Sequence, residues 1–308
     1  MSKHISVLLN ESIQGLNLKK DSIIVDCTLG YGGHSSEILK QIPNGFLYAF
    51  DQDMEAIKNS QERLSKIASN YEIIYSNFVH IKEELLKRNV EHVDGILFDL
   101  GVSSPQLDEG ERGFSFHADA TLDMRMDKNN SLTAHKVVNE YSYSDLVRIF
   151  REYGEEKFAT SIAHKIVAKR TEKAIETTLE LADIIASAVP AKYKREHHPA
   201  RKVFQAIRIE VNDELNVLTK SLNYALDLID IHGRICVITF HSLEDRICKE
   251  IFRENSTVKK ELSSLPVIPL EYQPKFKIVD TILPSNEEID SNNRSRSAKL
   301  RIIERIGM

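Results

Sequence analysis

Residues 23–34 read Ile23-Ile24-Val25-Asp26-Cys27-Thr28-Leu29-Gly30-Tyr31-Gly32-Gly33-His34. An apolar run ends at an acidic residue, a glycine-rich turn follows, and residues 35–39 have the pattern of a helix. A second apolar run, residues 46–50, ends at Asp51, about 21 residues after Gly30. Glycines let the backbone approach a ligand, and a carboxylate at the end of the next strand accepts hydrogen bonds from ribose hydroxyls. The spacing therefore predicts a nucleotide pocket, although such a turn also occurs where only tight packing is needed.

The glycine turn leaves open whether the pocket takes a dinucleotide or S-adenosylmethionine. The chain of 308 residues is long enough for one large or two ordinary domains, and its net charge is −5. A protein that grips a phosphate backbone is usually basic, so this charge argues mildly against a nonspecific nucleic-acid binder.

Cysteine and histidine usage points away from a disulfide or metal framework. The three cysteines, Cys27, Cys236 and Cys248, have no paired spacing, which predicts reduced thiols. The pair His197-His198 has no nearby cysteine or second spaced histidine, so we expect no metal. The amino-terminal residues carry no signal core, and no apolar run approaches the ~18 residues that a membrane span needs. We expect a cytoplasmic protein.

Strand and helix patterns alternate along the first third of the chain, which predicts an α/β domain with a parallel sheet and ligands at the carboxyl ends of its strands. The predicted strands are residues 23–26, 46–51, 72–75 and 95–100, and the predicted helices are residues 35–41, 54–67 and 81–88.

Residues 107–199 contain no convincing strand and predict an inserted helical domain over the ligand cleft. Helices are predicted at 146–150, 155–169 and 179–189, the last capped by Thr177 or Thr178. We assign residues 1–106 and 200–308 to the α/β domain and the insertion to substrate recognition, with a merely tolerated surface insertion as the alternative.

The α/β pattern returns after the insertion. Apolar residues from Val211 to Ile229 recur at helical spacing and predict one long helix that Gly233 terminates. Strands are then predicted at residues 234–240, 276–283 and 300–305.

Residues 95–106 place Asp99 and the turn Ser103-Ser104-Pro105-Gln106 at the end of a buried strand, where reacting groups lie in such sheets. If the cofactor is S-adenosylmethionine, a base amine is a poor nucleophile and needs hydrogen-bond acceptors that orient it. Asp99, Ser104 and a backbone carbonyl beside Pro105 could supply them, although Asp99 could instead simply cap the turn. Methylation of a ring carbon is less favoured because no cysteine lies at this turn.

A second polar cluster follows the next strand, Phe240-His241-Ser242-Leu243-Glu244-Asp245-Arg246. His241 could orient the substrate or assist proton loss. The same residues also suit the start of a helix, so a capping role is an equal alternative.

Basic residues form two runs that could be ordinary surface or, with a nucleic-acid substrate, phosphate contacts. One run is Lys192, Lys194, Arg195, His197, His198, Arg201 and Lys202; the other is Arg294, Arg296, Lys299 and Arg301. In addition, Arg112 stands beside Phe114 and Phe116, and such a group can stack on an unpaired base.

Eight segments, in order, resemble those of the bacterial RsmH family, also called MraW. They are residues 4–11, 28–35, 51–53, 99–106, 112–116, 122–126, 204–208 and 240–246. The resemblance implies a class I, Rossmann-like methyltransferase fold with a helical insert. It also implies S-adenosylmethionine-dependent methylation of the N4 amine of a decoding-centre cytosine in 16S ribosomal RNA of the small subunit. By the same resemblance the cofactor contacts fall on Gly32, Gly33, His34, Asp51, Phe78, Asp99 and Gln106.

The resemblance leaves the catalytic group open; from the residues we favour Asp99 and Ser104, with His241 as a third candidate. We expect RNA contacts at Arg112, Phe114, Arg195, Arg201, Arg294 and Arg296. The alternatives are a DNA amine methyltransferase, a nicotinamide-dependent oxidoreductase and a noncatalytic ribosome-assembly factor. The sequence does not decide between a monomer and a homodimer.

Overall fold

The computed structural model describes residues 6–101, 110–196, 198–258, 262 and 268–307. The chain divides into two compact units, residues 1–101 with 215–308, and residues 102–214. The first unit contains a seven-stranded sheet of order β3-β2-β1-β4-β5-β7-β6. Strands β1 to β5 are parallel and β7 is antiparallel to both its neighbours. The predicted Rossmann-like α/β architecture is therefore confirmed.

The strands are β1 Ile23–Asp26, β2 Phe46–Asp51, β3 Tyr71–Tyr75, β4 Val93–Asp99, β5 Ile229–Thr239, β6 Phe276–Ile282 and β7 Lys299–Arg305. The helices of this unit are α1 Leu9–Leu16, α2 Gly33–Gln41, α3 Met54–Leu64, α4 Ile81–Leu86, α11 Glu214–Leu228, α12 Ser242–Ser256 and α13 Asn286–Ser291. None of the helices in the described part of the chain is both long and apolar enough to cross a bilayer.

The sheet has a hydrophobic core on each face because successive side chains of a strand point to opposite sides. Val25, Ile96 and Phe98 pack on one face with apolar residues of α4, α11 and α12. Ile24 and Leu97 pack on the other face with residues of α1, α2 and α3. Burial on both faces explains why these strands appear in the sequence as continuous apolar runs.

The second unit is helical among its described residues, with α5 Ala134–Glu140, α6 Tyr143–Glu152, α7 Ala159–Glu172, α8 Thr178–Ser187, α9 Ala191–Glu196 and α10 Arg201–Asn212. It has its own hydrophobic core, which includes Phe150, Ile162 and Ile185. The predicted cap of α8 is Thr177, whose side chain accepts from the Glu180 amide in a capping box. The only β pairing described in this unit is an isolated bridge between Thr121 and Thr177.

The long helix predicted up to Gly233 is wrong in two respects. It is broken at Asp213, which has a left-handed backbone (φ 50°), and α11 ends at Leu228 with β5 starting at Ile229. The periodic pattern is continuous because its residues serve two cores: Val211 belongs to the helical core, whereas Leu218 and Leu222 belong to the sheet. Gly233 lies inside β5, close to the irregular pairing with β4.

The division between the units also falls elsewhere than at the predicted residues 199 and 200. Helix α10 places Val203, Phe204 and Ile207 in the helical core, so the helical unit continues to residue 214. At its carboxyl end, the Asn212 side chain accepts from the Met126 amide and donates to the Met124 carbonyl.

Asp245, in the first turn of α12, connects this helix to β7. Its carboxylate accepts from Lys299 Nζ at 2.9 Å and from Arg301 Nε at 2.7 Å. Burial would raise the pKa of Asp245, but hydrogen bonds from Arg301 and Lys299 outweigh it and hold the pKa below its ordinary value of 3.8. Two of the four residues in the second basic run are therefore engaged in the fold.

We expect Asp245→Asn to lower the free energy of unfolding by about 2 kcal/mol at neutral pH, because two charge-assisted hydrogen bonds are lost. Since the folded-state pKa is depressed, this stabilisation is complete above 3.8 and is lost as the pH falls through the folded value. Urea unfolding at several pH values measures the difference. As a control, Asp227→Asn removes the exposed ion pair with Lys82 and should change stability by at most about 0.5 kcal/mol. Equal effects of the two variants would contradict the argument.

Candidate active site

Three aspartates lie at or beside the carboxyl ends of neighbouring parallel strands. Asp26 ends β1, Asp51 ends β2 and Asp99 ends β4. Because strand order reverses between β1 and β4, this edge of the sheet is the switch point at which open α/β sheets bind ligands. The carboxylates therefore mark the candidate site.

Asp51 is tied to the glycine turn. Its carboxylate accepts from the Gly30 amide and from the Asp53 amide, each at 2.8 Å. Burial raises the pKa of Asp51 to about 7, against the lowering effect of these two amides. Each oxygen keeps a lone pair beyond the one that the amide uses, so the side chain can also accept a ribose hydroxyl. The structure thus brings together the two parts of the predicted nucleotide pocket.

The glycine turn is shaped for close approach. Gly32 has a left-handed backbone (φ +70°), which glycine adopts without strain, and it immediately precedes α2. A Cβ built on Gly33 would collide with the Ser6 hydroxyl. A turn without side-chain bulk, next to a helix start and an acceptor carboxylate, fits an adenosine cofactor.

Asp26 is a buried residue of this site to which the sequence analysis gave no role. Its carboxylate accepts from Ser35 Oγ at 2.6 Å and from the Thr28 amide at 3.0 Å. Burial raises its pKa, and the bonds from Ser35 and Thr28 oppose the rise. The Thr28 hydroxyl in turn accepts from the Asp99 amide at 2.7 Å. Asp26 and Thr28 therefore connect the turn after β1 to β4. The sequence feature that could have identified Asp26 as a site residue is its position at the end of the apolar run of β1.

Asp99 lies beside His34, the other residue that the resemblance assigns to the cofactor at this edge of the sheet. His34 Nδ1 is 3.5 Å from Asp99 Oδ2, and His34 is only 4% exposed. Burial, together with the charges of Asp26 and Glu244, raises the pKa of Asp99 to about 8. Its Oδ1 atom is buried and has no hydrogen-bond partner among the described residues. A buried acceptor of this kind is ready for a donor from a ligand.

Phe78 starts the short helical turn after β3 and is partly exposed. Its ring packs edge-on against Phe98, with centroids 5.6 Å apart. An aromatic ring that is fixed on one side and partly open is suited to flank an adenine. Ser104 and Gln106, the other predicted residues of this region, lie outside the described residues.

His241 is the N-cap of α12, and the structure bears out the capping alternative. Its Nδ1 atom accepts from the Glu244 amide at 3.4 Å, and the Glu244 carboxylate accepts from the Phe240 and His241 amides. The reciprocal bonds form a capping box. A role for His241 in catalysis stays a prediction.

The structure corrects the expectation that Phe114 stacks on RNA. Phe114 is 6% exposed and belongs to the helical core, where its ring lies 5.7 Å from the Arg112 guanidinium. Arg112 donates to the carbonyls of Arg125 and Met126. Both residues therefore stabilise the segment before α5. Of the two neighbouring aromatics Phe114 and Phe116, the first faces the helical core.

The remaining candidates for RNA contacts lie at accessible positions. Arg195 is exposed on α9, Arg201 is exposed at the start of α10, and Arg296 is exposed after α13, whereas Arg294 is half-buried. Their contact with RNA stays a prediction.

The three cysteines are free and buried. Burial raises the pKa of the Cys27, Cys236 and Cys248 thiols, so all three stay protonated near neutral pH. A protonated thiol is a poor nucleophile, which disfavours chemistry that proceeds through a cysteine adduct.

A sequence model of the MraW methylase family matches residues 1–306 of the chain. The chain is 56% identical over 309 aligned positions to Ribosomal RNA small subunit methyltransferase H of Exiguobacterium sibiricum, and the match covers 99% of each protein. Among solved structures, an rRNA methylase from Streptococcus thermophilus aligns with a TM-score of 0.46 at 13% identity, covering 99% of both chains. A SAM-dependent O-methyltransferase from Thermotoga maritima aligns with a TM-score of 0.42 at 10% identity, covering 100% of this chain and 69% of the other.

We expect S-adenosylhomocysteine to bind more weakly as the pH falls through about 7, because protonation of Asp51 removes charge from the acceptor of the ribose hydroxyls. The loss between about pH 8 and pH 6 should approach tenfold if only the ionised form binds well. Calorimetry at several pH values measures it.

The Asp51→Asn variant should bind S-adenosylhomocysteine weakly at every pH, and the change in affinity caused by the titration of Asp51 should be absent from its pH profile. Because Asp99 titrates in the same range, Asp99→Asn is the matched control that removes the other component. NAD should not bind. An unchanged profile in Asp51→Asn would remove Asp51 from the cofactor site.

Proposed function

Since the chain belongs to the MraW methylase family, we propose that it methylates the N4 amine of a decoding-centre cytosine in 16S ribosomal RNA. Its methyl donor is S-adenosylmethionine. Two observations support the RNA substrate: the 56% identical relative named as a small-subunit ribosomal RNA methyltransferase, and the segments that resemble the RsmH family. The resemblance is the source of the finer assignment to N4 and to the decoding centre.

The observation that carries the chemistry is the buried Asp99 carboxylate, with one oxygen beside His34 and the other without a described partner. Bound at this edge of the sheet, S-adenosylmethionine supplies a methyl group activated by the neighbouring positive sulfur. We assign the contact with its ribose to Asp51 and the contact with one face of its adenine to Phe78. Gly32 and Gly33 let the backbone approach the cofactor closely.

Asp99 ends β4, the strand next to β1, and His34 lies in the first turn of α2; we assign both to the cofactor as well. Gln106 is assigned to the same site by the resemblance alone. In their ionised forms the aspartates complement the positive charge near the methyl group, so binding of the cationic donor is coupled to loss of their protons and is favoured over binding of its neutral product.

Asp99 is placed to orient the amine. The lone pair of an exocyclic cytosine amine is delocalised into the ring, so the site must hold the amine close to the methyl group in the correct direction. An N–H of the amine can donate to the Asp99 carboxylate, whose side chain is 25% exposed. Once the nitrogen is alkylated it becomes acidic, and the ionised Asp99 carboxylate can take its proton. The pKa of about 8 makes that carboxylate a good acceptor, and a cationic donor bound beside it favours the ionised form. We propose Ser104 as a second acceptor.

The protonated cysteines support a nitrogen target over a ring carbon, because carbon methylation of a pyrimidine needs a thiolate adduct. Among the other readings, a DNA amine methyltransferase is disfavoured because the turn at 103–106 lacks an aromatic residue. The intact acids Asp51 and Asp99 and the glycine turn argue against a noncatalytic assembly factor.

We propose that the helical unit, expected from the sequence at residues 107–199 and extending to residue 214, is a substrate-recognition domain inserted between the two halves of the α/β domain. Arg195 and Arg201, which are exposed on α9 and α10, are its phosphate contacts. Arg294 and Arg296 are proposed contacts from the α/β domain.

The function is tested by incubating the protein with labelled S-adenosylmethionine and small subunits that lack the methyl group. We expect label in 16S ribosomal RNA, on one cytosine of the decoding centre, as mapped by nuclease digestion and mass spectrometry. Label on another base, or on protein, would contradict the assignment. Naked 16S RNA in a parallel reaction shows whether the assembled subunit is required.

We expect Asp99→Ala to lower kcat for methyl transfer by about a hundredfold or more while RNA binding stays close to that of the unaltered protein, because the amine loses its acceptor. The assay uses saturating cofactor, and calorimetry with S-adenosylhomocysteine separates any loss of cofactor affinity. Asp127→Asn, an acid of the helical unit outside the site, is the control. Unchanged turnover in Asp99→Ala would remove Asp99 from the mechanism.

We expect the double variant Arg195→Glu and Arg201→Glu to weaken RNA binding and to flatten its dependence on salt. Each phosphate contact contributes about 0.7 to 0.9 to the slope of log K against log salt, so the slope should fall by up to about 1.8. Fluorescence anisotropy over a salt series measures it. Reversing Lys58 and Lys66, two exposed lysines of the other unit, changes the net charge equally and is the control. Equal slopes in the two double variants would show that Arg195 and Arg201 do not contact phosphates of the RNA.

A further inference from the structure

Three aromatic side chains of the helical unit form a cluster that the proposed function does not use. The rings of Phe116 and His198 are stacked, with centroids 4.2 Å apart and an interplanar angle of 24°. His117 lies against both, 4.5 Å from Phe116 and 5.2 Å from His198 between centroids. His198 is far from Phe116 and His117 in the sequence, so only the tertiary structure brings the three rings together.

The cluster lies at the surface of its unit. His117 and His198 are exposed and Phe116 is partly exposed, whereas the Phe204 ring that Phe116 contacts edge-on is buried. The contact with Phe204 explains why Phe116 packs at the edge of the core. It does not explain why two exposed imidazoles lie against the same phenyl ring on its outer side. A surface with exposed aromatic faces is a surface on which a planar ligand can stack.

The local chemistry favours a flat, uncharged partner. Partial burial and the neighbouring His117 lower the pKa of His198 below its ordinary value of 6.5, so the imidazole is mainly neutral at neutral pH. A neutral imidazole beside a phenyl ring offers stacking surface and not a counter-charge for phosphate.

Positive charge stands next to the cluster. The amide of Arg201, the exposed first residue of α10, donates to the His198 carbonyl. Arg195, which is also exposed, lies a few residues earlier in the chain, near the end of α9. Aromatic faces for bases combined with cations for the backbone are the composition of single-stranded nucleic-acid sites.

We propose that Phe116, His117 and His198 form a stacking site for an unpaired base of the RNA substrate, with Arg201 beside it for the adjacent phosphate. This inference rests on the proposed RNA substrate and adds to it a position where the helical unit grips a splayed nucleotide. It also replaces Phe114 by Phe116 as the base-stacking aromatic of the segment after Arg112.

Substitutions at His198 separate stacking from charge. With a short single-stranded RNA that carries 2-aminopurine, we expect the full chain to quench the fluorescence on binding. His198→Ala should weaken binding by about tenfold and reduce the quenching. His198→Phe, which keeps an aromatic face, should restore both, whereas His198→Lys, which introduces a cation without an aromatic face, should not. His164→Ala removes an exposed histidine of α7 and should leave binding unchanged.

The same variants are compared for KM on small subunits, where His198→Ala should raise KM about tenfold and His198→Phe should not. Binding by His198→Ala equal to that of the unaltered protein, or rescue by lysine and not by phenylalanine, would overturn the stacking site. Methylation of the subunits by all variants with equal KM would overturn it while leaving the proposed function intact. Conversely, ring-dependent quenching with no methylation of subunits would leave the stacking site and overturn the proposed function.

Discussion

Three carboxylates at the ends of adjacent parallel strands are the constraint on which the site depends. Burial raises the pKa of Asp26, Asp51 and Asp99, so the folded protein holds protons on these groups more tightly than the unfolded chain does. Their contribution therefore makes folding less favourable as the pH rises from 3.8 toward about 7 for Asp51 and about 8 for Asp99. At Asp26 and Asp51 hydrogen bonds to the carboxylate oxygens from Ser35 and from the Thr28 and Gly30 amides offset part of this cost. A ligand that brings positive charge and hydroxyl groups offsets the same cost, and this is the physical reason to place a cationic methyl donor there.

The second constraint is that each unit has a separate core. The helical unit packs around Phe150, Ile162 and Ile185, and the sheet is covered on both faces. With its core complete, the helical unit can carry exposed arginines and an exposed aromatic cluster without loss of packing. RNA recognition and the proposed methyl transfer can thus be served by different surfaces, each built from residues with the appropriate chemistry.

Some site residues could be predicted because the chain places them at marked positions. Asp51 and Asp99 follow apolar runs and the glycines precede a helix, so their common location at one sheet edge follows from parallel topology alone. A helix start was also readable from Ser242, Glu244 and Asp245, whereas the structure shows that His241 is the N-cap. In contrast, Phe114 and Phe116 are two positions apart with similar neighbours, and nothing local shows which ring faces the core. Likewise the apolar pattern from Val211 to Ile229 does not show that Asp213 breaks it.

The order of strands and helices, the glycine turn and the acids that follow the strands were determined by the sequence itself, because alternation, turn chemistry and strand ends are local properties. Only the tertiary structure decided that Asp26 reaches Ser35 and Thr28, that His34 meets Asp99, and that His198 lies on Phe116. These contacts join residues on different elements, and their distances depend on how the elements pack. Burial has the same origin, which is why the pKa of Asp99 and the accessibility of an aromatic ring are properties of the folded chain.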